Sequence, residues 1–298
     1  MKKLILSLFF TVGIILLPSP AFSAYTTSEE QYREVLLELI ETLQQQILYL
    51  QGLSSVQTNV QEIGSSSYLI GDSVDVTNLY SLDSPSDVGL VLNSTHKKYF
   101  TRVFELFPEK YDEKLRQLAV FADDEYGYDA YVETIPPNHK YWLYAVNEDV
   151  VDDVTSNSST ELIVHELAHL VEYEEIIGVP KPANQTCNSY FRHSGCPVEN
   201  SYLKQFVNKF WTEEDLSRAG SFFNSNDSYE LAYDYYQINQ DKYVSGYSAI
   251  NPEEDFAETF MFYILDFPTK RGEVRQKIDF MDSYPELRLL KAEILNNK

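Results

Sequence analysis

Residues 158–171 of this chain have the sequence SSTELIVHELAHLV, which contains the motif His-Glu-x-x-His. On a helix, His165 and His169 leave the same face one turn apart, because their positions differ by four. Two imidazole nitrogens so placed can bind one zinc ion, and Glu166 beside them can accept a proton from a metal-bound water. The stretch therefore predicts a catalytic site with one Zn²⁺ per chain, in which Glu166 is the general base.

The residues around the motif favour a helix that is largely buried. Ser158 and Glu161 are spaced as a capping box, which predicts that the helix begins there. Most other positions hold leucine, isoleucine, valine or alanine. The alternative is a structural helix that carries two histidines and no metal. It is less favoured, because burial without a metal would leave the polar groups of the motif to be satisfied in some other way.

A catalytic zinc site needs a third protein ligand and one open position. Metzincins, a group of zinc peptidases with the same motif, have glycine three residues and histidine six residues after the second histidine. Glu172 and Glu175 occupy those positions here, and no histidine follows His193. The third ligand is therefore expected to be a carboxylate.

The best source of that carboxylate is residues 246–260, with the sequence GYSAINPEEDFAETF. Asn251 as N-cap and Pro252 in the first turn predict the start of a second helix. Glu254 and Glu258 share one face of that helix, which suits one metal ligand and one acceptor for the N–H of a ligating histidine. The alternative is a solvated acidic helix start, favoured by the helix dipole.

Together the two motifs resemble the gluzincin metallopeptidases, whose third zinc ligand is a glutamate on a second helix. They are most similar to the anthrax lethal factor-like and Pro-Pro endopeptidase branch, which has Glu-aromatic-aromatic-Ala-Glu and a tyrosine seven residues before the first glutamate. Residues 254–258 match that segment with Asp255 in place of the first aromatic, and Tyr247 is at the tyrosine position. The resemblance implies that Glu254 is the third zinc ligand. It implies that Glu258 does not bind the metal itself but supports the site next to it. It also implies that Tyr247 donates a hydrogen bond to the developing oxyanion.

The chain departs from that branch in the spacing of its motifs. Eighty-five positions separate His169 from Glu254, which is more than the branch usually has. The additional residues include the Trp211 region and a tyrosine-rich run at 229–236, and they are expected to form a lid or an added subdomain. We therefore carry over no preference for proline substrates. Most of the 23 tyrosines are expected to be half-exposed core residues.

The predicted fold class is α+β, with a zincin-like domain over residues 89–298. A small mixed sheet is expected to lie over the helix of the motif, followed by a mostly helical C-terminal part. The expected helices and strands before the motif are helices at 97–106 and 109–117 and strands at 118–122, 129–135 and 140–146. The last strand is expected at the edge of the cleft, where an extended peptide can pair with it.

The first 23 residues have the features of a signal peptide. Lys2 and Lys3 precede the apolar residues 4–17, and small residues allow cleavage after Ser23. The apolar run is shorter than the ~20 residues of a membrane span. We expect a secreted or periplasmic protein without stable membrane insertion after cleavage; the alternative is an uncleaved anchor.

Residues 24–88 are expected to form a helix and a polar linker. Within 28–53, apolar residues recur at steps of four and three, a pattern typical of a short coiled coil. This helix is expected either to mediate self-association or to pack on the domain. The Ser-, Asp-, Asn- and Gly-rich composition of 54–88 favours a linker.

Cys187 and Cys196 are the only cysteines, and in an exported chain a close pair favours a disulfide. A metal site formed with His193, which lies between them, is the alternative, although the spacing matches no zinc-ribbon pattern.

The formal net charge of −23 and the pI of about 4.5 argue against nucleic acid as a partner, because phosphate binding needs clustered lysine and arginine. The sequence thus predicts a secreted zinc-dependent endopeptidase that acts on protein or peptide. The alternatives are a zinc hydrolase of other amides, directed at the cell wall, and a catalytically silent binding protein with the same fold.

Overall fold

The computed structural model describes residues 60–61, 74–122, 127–135, 140–154, 156–173, 200–223, 228–269 and 272–298. All of them belong to one compact unit, residues 50–298. This unit combines helices with a small mixed sheet, so the α+β class is confirmed.

The sheet has five strands among the described residues, in the order β1-β2-β3-β5-β4. Strands β3 and β5 are parallel, and the other neighbouring pairs are antiparallel. The strands are β1 (Val60–Gln61), β2 (Asp75–Ser81), β3 (Leu115–Ala122), β4 (Ala130–Thr134) and β5 (Trp142–Asn147). The three predicted strands are therefore present.

Strand β5, predicted at the edge, lies inside the sheet, so that prediction is wrong. All six of its residues are buried, as is typical of a strand that has neighbours on both sides. Strand β4, with only one buried residue, is the outer strand on this side.

The linker predicted at 54–88 is wrong for residues 75–81, which form β2. This strand pairs with β3 from Asp75 opposite Ala122 to Ser81 opposite Gln117. Its Leu79 and Tyr80 are buried, whereas several of its polar residues are exposed, so its composition resembled that of a linker. The sheet therefore begins before residue 89.

The helix predicted at 109–117 is also too long. It ends at Asp112, after one turn, and the chain enters β3 at Leu115. Leu115 and Leu118 are fully buried in the sheet, and this tertiary packing outweighs the local helical preference.

Helices make up most of the described chain after β5, as expected. The helix predicted at 97–106 is confirmed and begins three residues earlier. The helices are Ser94–Leu106, Glu109–Asp112, Glu148–Val151, Asn157–Tyr173, Tyr202–Phe210, Glu213–Phe223, Ser228–Ile238, Pro252–Ile264, Glu273–Asp282 and Pro285–Asn297, with short 3-10 helices at Pro85–Leu90 and Tyr247–Ala249. We call Asn157–Tyr173 the histidine helix and Pro252–Ile264 the glutamate helix.

The main core joins one face of the sheet to these two helices. Leu118 and Tyr144 from the sheet, Val164 and Leu167 from the histidine helix and Phe256 from the glutamate helix belong to one buried cluster. A smaller cluster, which includes Phe121 and Leu143, covers the opposite face of the sheet. The histidine helix is thus held by apolar packing on more than one side.

Three predictions lie outside the described residues: the signal peptide at 1–23, the helix at 28–53, and the pair Cys187 and Cys196 with His193. Of the helices that are described, none has the length and apolar character that crossing a membrane requires.

Candidate metal centre

The histidine helix is capped two residues before the predicted position. The Oγ of Ser156 accepts a hydrogen bond from the backbone N–H of Ser159 at 3.0 Å, and Ser158 is already helical. The predicted capping box of Ser158 and Glu161 is therefore wrong, although the helix itself is confirmed. The shift leaves the spacing of His165 and His169 on one face unchanged.

The glutamate helix begins as predicted. Asn251 has an extended backbone, and its Oδ1 accepts a hydrogen bond from the backbone N–H of Glu254 at 2.9 Å. Pro252 follows in the first turn. Phe256 and Phe260 are fully buried, which fixes the rotation of the helix.

These two helices bring three side chains to one point. The Nε2 of His165 lies 3.2 Å from Oε2 of Glu254, and the Nε2 of His169 lies 3.5 Å from the same oxygen. The potential ligand atoms of the three residues all lie within 4.8 Å of one another. His165, His169 and Glu254 therefore form a group that could bind a metal ion.

Each histidine is oriented by a carboxylate on its other side. The Nδ1 of His165 lies 2.9 Å from Oε1 of Glu258, as the motif suggested. The Nδ1 of His169 lies 2.9 Å from Oε1 of Glu172, a contact that was not predicted from the sequence. The spacing of three residues between His169 and Glu172 on one helix was the signal that could have revealed this contact.

The donor atoms fit a cation. When each Nδ1–H donates to its carboxylate, each Nε2 presents a lone pair. Both lone pairs then face Oε2 of Glu254, a buried oxygen with no hydrogen-bond partner within the described ranges. Three acceptors at one point repel one another unless a positive charge lies between them.

The carboxylates around the imidazoles also favour a positive charge at this point. Burial lowers the pKa of His165, but Glu254 and Glu258 outweigh burial and raise this pKa well above its ordinary value. Burial also opposes the charged form of His169, yet Glu254 and Glu172 raise the pKa of His169 to about 10. A divalent ion would supply the positive charge that these carboxylates favour.

Glu166 is buried beside this group. Burial raises the pKa of Glu166, opposed by the charges of His165 and His169 and by a hydrogen bond from the backbone N–H of Val132 in β4. Its Oε2 has no hydrogen-bond partner among the residues described. A buried carboxylate with a raised pKa is suited to accept a proton.

Tyr247 lies next to His165, with the two ring centroids 5.7 Å apart. The charge of Glu254, followed by burial, raises the pKa of Tyr247 well above its ordinary value, so the phenol stays protonated and can donate. Arg218 holds the short helix that carries Tyr247, because its guanidinium donates to the backbone oxygen of Ala249 at 3.2 Å. The structure thus brings together every site residue that the two motifs predicted.

The fold and this group define the chain as an α+β protein with a largely buried His-His-Glu group that could bind a metal ion. No family model, no curated protein and no solved structure matches the chain.

Proposed function

We propose that this chain is a secreted zinc metallopeptidase of the gluzincin type, an endopeptidase with a zincin-like domain. One observation carries the proposal: His165, His169 and Glu254 converge from two helices, with Glu166 beside them and a carboxylate behind each histidine. Two histidines and one glutamate with an open position are the ligand set of catalytic zinc in several peptidases. The similarity to the lethal factor-like and Pro-Pro endopeptidase branch agrees with this ligand set.

In this proposal several residues have separate roles in peptide hydrolysis. A zinc ion held by the three ligands would act as a Lewis acid towards a water molecule and the scissile carbonyl. Glu166 accepts the proton of the attacking water and returns it to the leaving amine. Tyr247 donates a hydrogen bond to the oxyanion of the tetrahedral intermediate. Glu258 and Glu172 fix the imidazole orientations.

The substrate is proposed to be a protein or peptide in extended conformation. Strand β4 is one of the two outer strands of the described sheet, and the backbone N–H of its Val132 donates to Glu166. A peptide that pairs with this strand would pass next to Glu166 and the metal group, since strand addition places a new chain about 5 Å from the edge strand.

Metal content of substituted proteins tests the ligand assignment. Wild type is expected to hold about one zinc per chain, and Glu254→Ala none, because it removes a ligand from a site of three. Glu258→Ala and Glu172→Gln are expected to weaken zinc binding about 10–100-fold, because they act through the histidines. Elemental analysis and competition with a chromophoric chelator measure these effects.

Glu161→Gln is the matched control, since Glu161 lies on the histidine helix one turn before His165. Loss of zinc from Glu258→Ala with full zinc in Glu254→Ala would mean that the two glutamates have exchanged roles. Folded wild type that takes up no added zinc would refute the enzyme proposal.

Two alternatives share the site and differ in the reaction. A zinc hydrolase directed at cell-wall amides would release fragments from cell-wall material and leave peptide mixtures intact. A silent binding protein would hold zinc without turnover, but the buried, partly unpartnered Glu166 favours catalysis. Digestion of both substrate classes by the purified zinc-loaded protein separates the three proposals.

We also propose export by the signal peptide at residues 1–23, a disulfide between Cys187 and Cys196, and self-association through residues 28–53. Mass spectrometry of the exported protein tests the first two. The mature chain is expected to begin at residue 24 and to be two hydrogens lighter than its reduced form. Neither nucleic acid nor a membrane is a proposed partner.

A further inference from the structure

The helix Ser228–Ile238 carries an exposed stripe of tyrosines. Tyr229, Tyr233 and Tyr236 are spaced by four and three residues and so share one face. Tyr229 is 54% exposed and Tyr233 is 45% exposed. Both are about half exposed, as expected for most tyrosines, but neither belongs to the core clusters of the described residues, and their rings present large apolar surfaces to solvent.

This stripe continues into the candidate active site. The rings of Tyr229 and Tyr233 are close to parallel, at 25° with centroids 6.3 Å apart. The ring of Tyr229 lies 6.3 Å from that of Tyr247, which in turn lies 5.7 Å from His165. We call Tyr229, Tyr233 and Tyr247 the tyrosine shelf. It extends from the metal group onto the open surface.

The helix Ser228–Ile238 is in tight contact with the segment just before Tyr247. A Cβ on Gly246 would lie 2.6 Å from Cδ2 of Tyr233, so glycine at this position lets the two elements approach. The shelf is thus a joint feature of both elements.

Acidic side chains border the shelf. Glu230 and Asp234 are exposed, and each directly follows one of the tyrosines in the sequence. On the helix they therefore lie beside the tyrosines. The sequence of the helix, SYELAYDYYQI, contains no lysine or arginine. The chain as a whole has a net charge of −23. Aromatic faces and carboxylates both attract cations, so the border and the shelf favour the same kind of ligand.

We propose that the tyrosine shelf is a substrate subsite for a lysine or arginine side chain, an inference that rests on the proposed peptidase function. The aliphatic stem of such a side chain lies on the tyrosine rings, and its charged head reaches the carboxylates of Glu230 and Asp234. Two ring-to-ring steps, from Tyr229 to Tyr247 and from Tyr247 to His165, separate the exposed part of the shelf from the histidines. This distance corresponds to roughly three residues of extended peptide on one side of the scissile bond.

Peptide mixtures test the subsite. Each mixture fixes one position as lysine, arginine or norleucine, and norleucine keeps the stem without the charge. At one position within three residues of the cleaved bond, wild type is expected to cleave the lysine and arginine mixtures with a kcat/KM roughly tenfold above that for norleucine. The variant Glu230→Gln/Asp234→Asn is expected to lose most of this preference and to keep its activity on the norleucine mixture.

The matched control is Glu113→Gln/Glu293→Gln, which removes two exposed charges elsewhere on the surface and should keep the preference. Equal cleavage of lysine and norleucine mixtures at every position would overturn the subsite and leave the peptidase proposal standing.

A binding measurement keeps the two proposals distinguishable. With the Glu166→Gln protein and fluorescent forms of the same mixtures, the lysine mixture should bind roughly tenfold more tightly than the norleucine mixture. Binding without any cleavage by wild type would refute the peptidase and support the shelf. Equal binding, or binding of neither mixture, would refute the shelf.

Discussion

Glu166→Gln is expected to reduce peptide hydrolysis by about a hundred- to ten-thousandfold while zinc content stays at one per chain. Glutamine keeps the shape of the side chain but cannot accept the proton of the attacking water. Glu166 is not among the three residues of the metal group, so the substitution leaves the ligands in place. Hydrolysis of a peptide mixture at saturating zinc, followed by mass spectrometry, measures the loss.

Glu161→Gln provides the comparison, because it neutralises a carboxyl group on the same helix. It is expected to retain activity close to that of wild type. A Glu166→Gln protein that keeps more than about a tenth of the activity would contradict the role of Glu166, since general-base catalysis contributes at least about a hundredfold. Loss of zinc from this variant would instead indicate that Glu166 is itself a ligand.

The sequence predicted which residues form the group that could bind a metal ion, because the signals for those residues are local. The positions of His165 and His169 on one helical face follow from a spacing of four, and the start of the glutamate helix follows from Asn251 and Pro252. The spacing of residues along the sequence did not predict how the histidine helix and the glutamate helix contact each other. The resemblance to gluzincins supplied that expectation, and the 3.2 Å between His165 and Glu254 agrees with it.

Apart from the misplaced helix cap at Ser158, the errors concern features that depend on distant parts of the chain. Strand β2 pairs with a strand some 40 residues away, and nothing near residue 75 indicates that partner. Strand β5 likewise lies inside the sheet only because β4 pairs with the edge of β5 that β3 leaves free. The exposed faces of Tyr229 and Tyr233 depend on which side of their helix packs inward, which composition does not reveal.

Asp255, which stands where the motif resembled by this sequence has an aromatic residue, forms a buried ion pair. Its Oδ2 lies 2.6 Å from Nζ of Lys277 and accepts a hydrogen bond from Nε1 of Trp211 at 2.9 Å. Lys277 also donates to the backbone oxygen of Lys242 at 2.7 Å. Both charged side chains are 0% exposed. The pair ties the glutamate helix to the helix Glu273–Asp282 and to the segment that precedes Tyr247.

Lys277→Met is expected to lower the free energy of unfolding by about 3–5 kcal/mol, because it leaves the buried Asp255 carboxylate without its counter-charge. For a domain of this size the loss corresponds to a fall in melting temperature of roughly 10 °C. The variant Lys277→Met/Asp255→Asn is expected to recover part of the loss, since it removes both charges and keeps an acceptor for Trp211. Thermal unfolding followed by circular dichroism measures both.

The helix Glu273–Asp282 also provides the control for this prediction. Arg275 and Asp279 form an ion pair of 2.8 Å, but their side chains are 60% and 57% exposed. Arg275→Met is expected to change the free energy of unfolding by less than about 1 kcal/mol, because solvent screens the pair. If Lys277→Met unfolded at the same temperature as Arg275→Met, the buried pair would not stabilise the fold.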